Sequence, residues 1–249
     1  FGSAQQGRNY YIFSPEDLRR IRESAQTSRG LQSMEGYRRQ VEARMQHDME
    51  VPTLEAGHGH FYVCPVHNVT FSFRWDHPTA HYCGACDKEY RGVNVYNWGW
   101  VNFVHAANSG FLQACMYLYM GTGDKLYAGY IRDMLLDYAG KYPDYMVHNV
   151  HRKYTEAHSG KMFGQSLDES VWLTGAARAY QAVRNEISAR DADKIEKRLF
   201  REGAELLLRR RDGGNWQVWH NCALAPPGVT LHDDNIIDIA IEEPQCGYR

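Results

Sequence analysis

The chain has 249 residues and a net charge of −2, with 43% hydrophobic and 23% charged residues. This balance is that of a globular protein, and it gives no overall electrostatic reason to expect a nucleic-acid or membrane partner. No run of about 18 apolar residues is present, so no transmembrane helix is expected.

Ser14-Pro15-Glu16 is a helix start: a capping hydroxyl, proline at the first helical position, then acids in the first turn. A charged helix is predicted from there to about Ala25, and a second over 33–48. From Val51 to about Asn97, His, Gly, Pro, Cys and aromatic residues crowd together, and Phe61-Tyr62-Val63 and Val69-Thr70-Phe71-Ser72-Phe73 alternate like short strands. An apolar helical stripe then spans Asn97 to Met120. Asp124 caps the next helix, which Gly140 and Pro143 stop. A polar, His-rich loop runs from Tyr145 to Phe163. Ser166-Leu167-Asp168-Glu169 reads as a capping box opening a helix to about Arg184. Further helices are expected over Ala189–Arg210, Asn215–Ala225 and Asp233–Ile241.

Helix pairs joined by short loops, with no recurring strand between them, point to a mainly α fold of antiparallel hairpins, as in bundles, solenoids or (α/α) toroids. Three regions follow: N-terminal helices over 1–50, a zinc-ribbon-like β insertion over 51–97, and a helical portion over 98–249 carrying a substrate cleft.

Cys64-Pro65-Val66-His67 and, after fifteen residues, Cys83-Gly84-Ala85-Cys86 form a C-x2-H…C-x2-C array. Cys64, His67, Cys83 and Cys86 supply three thiolates and one imidazole, a closed tetrahedral set for structural Zn²⁺ with no open position for chemistry. His77 and His81 lie close enough in sequence to replace His67. Cys115, Cys222 and Cys246 read as scattered thiols rather than a disulfide framework.

The candidate active-site stretch is Gly213-Gly214-Asn215-Trp216-Gln217-Val218-Trp219-His220-Asn221, a Gly-Gly break followed by polar and aromatic residues at a helix start. Polar groups there can meet an anion; equally, Asn215 can be a plain N-cap and His220 a satisfied buried histidine. With the upstream Leu167-Asp168-Glu169-Ser170-Val171-Trp172 helix and the Cys-rich ribbon before it, this stretch resembles the heparinase II/III-like polysaccharide lyases. The resemblance implies an incomplete (α/α) toroid and β-elimination on a uronate-containing polysaccharide of alginate or glycosaminoglycan type. It also implies a secreted or periplasmic location.

On that resemblance Asn221 matches the amide that neutralises the uronate carboxylate. The family's neighbouring His falls at Cys222, while His220 precedes the amide. Asn215, Trp216, Gln165, Glu169 and His158 are the expected substrate contacts; Glu169 is equally explained as the capping-box acid. The family's proton-donating tyrosine lies further downstream than Tyr248, and its β-sandwich is also unaccounted for. Both are expected from a further portion of the same protein, which leaves this chain an incomplete catalytic unit. His148, His151 and His158 with Arg152 and Lys153 form either a grip for an acidic sugar or a solvated loop, and Trp98 and Trp100 either stack on sugars or pack in the core. Three alternatives remain: uronate C5-epimerisation, glycoside hydrolysis using Asp168, Glu169 or Asp212, and a non-catalytic, zinc-stabilised, carbohydrate-binding helical module.

Overall fold

The computed structural model describes residues 12–155, 157–210 and 213–242; Asp212, Cys246 and Tyr248 lie outside them. The fold is mainly helical. Helix α1 (Pro15–Ala25) opens on a reciprocal cap in which Ser14 Oγ accepts from the Asp17 N–H at 3.1 Å and the Asp17 carboxylate accepts from the Ser14 N–H at 2.9 Å. Helix α2 (Ser28–Met45) starts earlier than the predicted residue 33, because the Thr27 hydroxyl takes the Gly30 N–H at 3.1 Å and provides a cap there.

Helix α3 (Asn94–Thr122) is the axis on which α1 and α2 pack, and it ends at Gly123, whose φ of +74° suits a residue without Cβ. Asp124 then accepts the Leu126 N–H at 2.9 Å and starts α4 (Lys125–Lys141), which folds back on α3 as a helical hairpin. Helix α5 (Ser166–Val183) also lies on α3. The long helix expected over 189–210 is α6 (Ala189–Ile195), a π-turn at Glu196–Arg201, and α7 (Glu202–Leu208). Helix α8 (Gly214–Thr230), whose start was expected over Asn215–Ala225, continues through Pro226 and Pro227 and packs most heavily on α5 and α9 (Asp234–Glu242). Among the described residues no helix is long and apolar enough to cross a membrane.

The core joins Phe111, Leu112 and Leu118 of α3 to Ile131 and Leu135 of α4, Trp172 and Tyr180 of α5, and Leu199 and Phe200 of the π-turn. One polar network crosses it. The buried Arg44 donates twice to Asn108 Oδ1, at 2.8 and 3.0 Å, and the Asn108 amide nitrogen donates to the Tyr138 hydroxyl at 3.0 Å. That hydroxyl lies 2.9 Å from His105 Nδ1. Burial pushes the His105 imidazole down to about 3, so it is neutral and can accept inside the core.

In the insertion, β1 (Ala80–Cys83) pairs antiparallel with β2 (Lys88–Arg91), Ala80 opposite Arg91 and Cys83 opposite Lys88. The strands expected at Phe61–Val63 and Val69–Phe73 are instead isolated bridges, Val63 to Thr70 and Ser72 to Tyr82. The reason is local: Cys64 and Asn68 close a tight turn, with the Cys64 N–H on Val69 O and the Asn68 N–H on Cys64 O, both at 2.8 Å. Too few residues remain on either side for a ladder. The insertion sits against α3 through Tyr62, Phe71 and Phe103, and close approach is possible because Gly99 lacks a side chain: a Cβ there would lie 2.9 Å from Tyr62 Cβ.

That contact yields a stability prediction. Gly99→Ala gains helix propensity but overpacks the Tyr62 seam, so a net loss of about 1–3 kcal/mol is expected. Denaturant midpoints with unchanged far-ultraviolet dichroism check it; an unchanged or higher midpoint shows that the seam is loose.

Candidate functional site

Two groups of side chains carry chemistry. The first is the cysteine–histidine set. The ligand atoms of Cys64, His67, Cys83 and Cys86 all lie within 4.8 Å of one another, so these four could hold a metal ion. Cys64 Sγ is 3.7 Å from His67 Nδ1, 3.9 Å from Cys86 Sγ and 3.4 Å from the Tyr90 hydroxyl. Burial acts to raise the Cys64 thiol, yet the Tyr90 hydroxyl and the N–H groups of His67 and Val66 pull it down to about 5, which favours thiolate. The rival imidazole, His81, is otherwise engaged: it lies 3.0 Å from the Tyr62 hydroxyl and 2.8 Å from Asn97 Oδ1.

The second group gathers where the 145–165 loop meets the starts of α5 and α8. Glu169 organises it. This buried carboxylate accepts from the Tyr142 hydroxyl at 2.6 Å and from the backbone N–H groups of Phe163, Lys161 and Met162 at 3.0, 3.3 and 3.4 Å. Burial raises it above the usual carboxylate range despite these donors. The capping box expected at Ser166 does not form: Gln165 occupies the N-cap position and makes no side-chain cap, while Glu169 turns into the loop. Glu169 is therefore a loop anchor, without an open face towards a substrate.

From this anchor the loop presents its end. The Ser166 N–H donates to His158 O at 2.9 Å, and Ser166 Oγ lies 3.1 Å from His220 Nε2. The exposed His158 stands edge-on to Trp216 with ring centroids 4.5 Å apart. Half-buried Gln165 places its amide nitrogen 3.0 Å from His58 Nδ1. Around His58 are His60, stacked at 4.6 Å, and Phe61, edge-on at 5.1 Å; Phe61 in turn stacks on His151 at 5.9 Å. Beside them, between α3 and α5, is a cavity of about 240 Å³ lined by Asn102, Ser109, Phe163, Asp168 and Trp172. Burial raises the Asp168 carboxyl, with His60 opposing.

His158, Gln165 and Trp216 are thus brought to one locality, with Asn215 exposed in the first turn of α8. The two expected catalytic residues turn inward. His220 is fully buried against Ser166, and Asn221 is 5% exposed with Oδ1 accepting from Gln217 Nε2 at 2.8 Å. Both side chains are buried because α8 presents Val218, Trp219 and Cys222 to the outside instead. His148 is likewise buried, and Arg152 pairs with Glu55 at 2.7 Å and covers the Trp98 ring. Trp100 donates to Arg74 O at 2.8 Å. Sequence reasoning missed His58, His60 and Asn102. The alternation Gly57-His58-Gly59-His60, two imidazoles in a glycine-rich coil, was the available signal.

No family model matches the chain. It is 35% identical over 145 residues to an alginate lyase of Stenotrophomonas maltophilia, an alignment covering 57% of this chain and 19% of that protein. It is 30% identical over 151 residues to an exo-oligoalginate lyase of Saccharophagus degradans, covering 57% and 20%. The chain therefore spans about a fifth of the length of the curated relatives it matches.

Glu169→Ala strands three loop N–H groups and the Tyr142 hydroxyl, so a loss of about 3–5 kcal/mol is expected, with new proteolytic cleavage in the 145–165 loop. Chemical denaturation and limited proteolysis measure both; wild-type stability in the variant would mean that the loop is held by other contacts.

Proposed function

We propose that this chain is part of a lyase that cleaves a uronate-containing polysaccharide by β-elimination, with alginate the favoured substrate. The similarity to two alginate lyases over more than half of the chain carries this reading. The amide, imidazole and indole groups gathered at the starts of α5 and α8 support it, and so does the resemblance to heparinase II/III-like lyases.

In β-elimination a base removes the C5 proton, the electron pair forms the C4–C5 double bond, and the C4–O4 bond breaks as an acid protonates O4. The C5 proton is weakly acidic, so hydrogen-bond donors on the neighbouring carboxylate must stabilise the developing enolate. The open groups suited to that task are Gln165 and Asn102, with Asn215 on the first turn of α8. Trp216 and His158 offer the flat face on which a sugar ring rests. His220 and Asn221 position this rim from beneath through Ser166 and Gln217. The base and acid are assigned to a tyrosine in a further portion of the same protein, which would complete the toroid. A polymeric anionic substrate favours a secreted or periplasmic location. Of the carboxylates that the hydrolase alternative would use, Glu169 is spent on the loop, which disfavours a pair that includes it.

The metal fitting the cysteine–histidine set is zinc in a structural role. A tetrahedron with Zn–S bonds of about 2.3 Å needs sulfur atoms about 3.8 Å apart, and the Cys64–Cys86 separation is 3.9 Å. When bound, zinc supplies a closed cross-link that ties the Cys64 turn to the β1–β2 hairpin.

Two measurements test these assignments. Incubation of the whole protein with alginate should yield the ultraviolet absorbance of a C4–C5 unsaturated product, and Gln165→Ala in it should lower kcat/KM by about 10–100-fold for loss of one charge-assisted hydrogen bond. New reducing ends without that absorbance would point to hydrolysis instead. Metal analysis should find about one zinc per chain. Cys83→Ser should abolish it, lower the Tm and perturb the fluorescence of the Tyr62–Tyr90–Tyr96 cluster; a metal-free protein of unchanged Tm would sink the zinc assignment.

A further inference from the structure

We propose that His58, His60 and His151, packed around Phe61 beside Gln165, form a subsite for the carboxylate of an acidic sugar, and that the subsite takes up a proton as the sugar binds. The inference rests on the reading above and adds to it a location and a pH dependence.

The geometry sets the subsite up. His58 stacks on His60 at 4.6 Å and stands edge-on to Phe61 at 5.1 Å, and His151 stacks on Phe61 at 5.9 Å, so three imidazoles from two separate segments gather around His58 and Phe61. His60 and His151 are exposed, which leaves them accessible to a ligand. His58 is half-buried, and its Nδ1 lies 3.0 Å from the Gln165 amide nitrogen, a donor, so this imidazole is neutral as it stands. Protonation of His58 requires Gln165 to turn its oxygen inward. That turn frees the amide NH₂ to face a ligand carboxylate, so proton uptake and carboxylate binding reinforce each other.

The charges around the cluster favour an anion. On the loop, Arg152 is committed to Glu55 at 2.7 Å, and Lys153 is exposed. On α5 the facing acid, Asp168, is driven towards its neutral form by burial, although the His60 charge opposes this. Burial lowers the His58 imidazole, and the positive charges of His60 and His151 lower it further. A bound carboxylate cancels that repulsion, so the pKa of His58 in the complex rises above its value in the free protein. The sign follows: the gain in binding is fully present below the free-protein pKa and is lost as pH rises through the pKa of the complex.

The test is calorimetric titration of the whole protein with a uronate tetrasaccharide and with its carboxyl-reduced neutral counterpart. Titrations are run at about pH 5.5 and about pH 7.5, in buffers of differing ionisation heat that count the protons taken up. Wild-type affinity for the uronate is expected to fall about 10-fold across that interval, an average uptake of about half a proton, since a full proton would give about 10-fold per pH unit. The neutral sugar should show no pH dependence. A His58→Gln variant, which removes the imidazole that takes the proton and has its fold checked by dichroism, should lose both the pH dependence and the proton uptake. The subsite is overturned if the His58 variant keeps wild-type affinity and proton uptake, or if uronate binding is independent of pH while Gln165→Ala still weakens it; the lyase reading then stands without it. Absence of binding by any uronate oligomer at either pH, together with no unsaturated product, removes both.

Discussion

The arrangement of the candidate site depends on a buried carboxylate. Glu169 takes a phenol proton and three consecutive backbone N–H groups of the 145–165 loop into one acceptor. A loop of that length would otherwise carry many unsatisfied donors over the helical core, and each buried orphan costs about 1–3 kcal/mol. Collecting them on one side chain fixes residues 161–163 relative to α5. It thereby fixes Gln165 at the α5 N-cap and His158 against Trp216. The rim is precise because what lies beneath it has no freedom.

A second anchor acts from the other direction. The cysteine–histidine turn and the β1–β2 hairpin hold Tyr62 and Phe71 in a small aromatic core that grips α3 at Gly99 and Phe103. The chain just before Tyr62 is the segment carrying His58, His60 and Phe61. Its position relative to α5 is set by the Ala56 N–H on Met162 O at 2.9 Å and by the Gly57 N–H on Trp98 O at 2.8 Å. The cysteine–histidine set and the imidazole cluster are therefore neighbours, joined through the same stretch of chain. The influence of the cysteine set on the rim is positional, transmitted through Tyr62 and α3.

Much of the helical layout was legible in the sequence because caps and stripes are local. Ser14 with Asp17, and Asp124 with Leu126, behave as their spacing dictates. The paired Cys and His knuckles were legible for the same reason, and the residues they name converge. What failed was tertiary. Ser166 and Glu169 have the spacing of a capping box, but a buried loop with unpaired N–H groups competes for the carboxylate and wins. Asn221 and His220 have the look of cleft residues, yet which face of α8 meets α5 is decided by packing along the whole helix, with Ala223 and Leu224 buried on that side. The contribution of His58 was hidden because its partner Gln165 lies 107 positions away.

The chemistry of the rim follows from the side chains left at its surface. A groove lined with permanently charged lysines or arginines would hold every uronate with similar strength and release products slowly. Here Arg152 is neutralised by Glu55, and apart from the exposed Lys153 the groups facing outward are amides, imidazoles and an indole. Such groups can meet a carboxylate through hydrogen bonds that strengthen as charge develops on it. Imidazoles add a positive charge that exists only when an anion or an acidic medium supports it. Burial of His58 beside His60 and His151 lowers its basicity, so the charge of the rim depends on what stands against it.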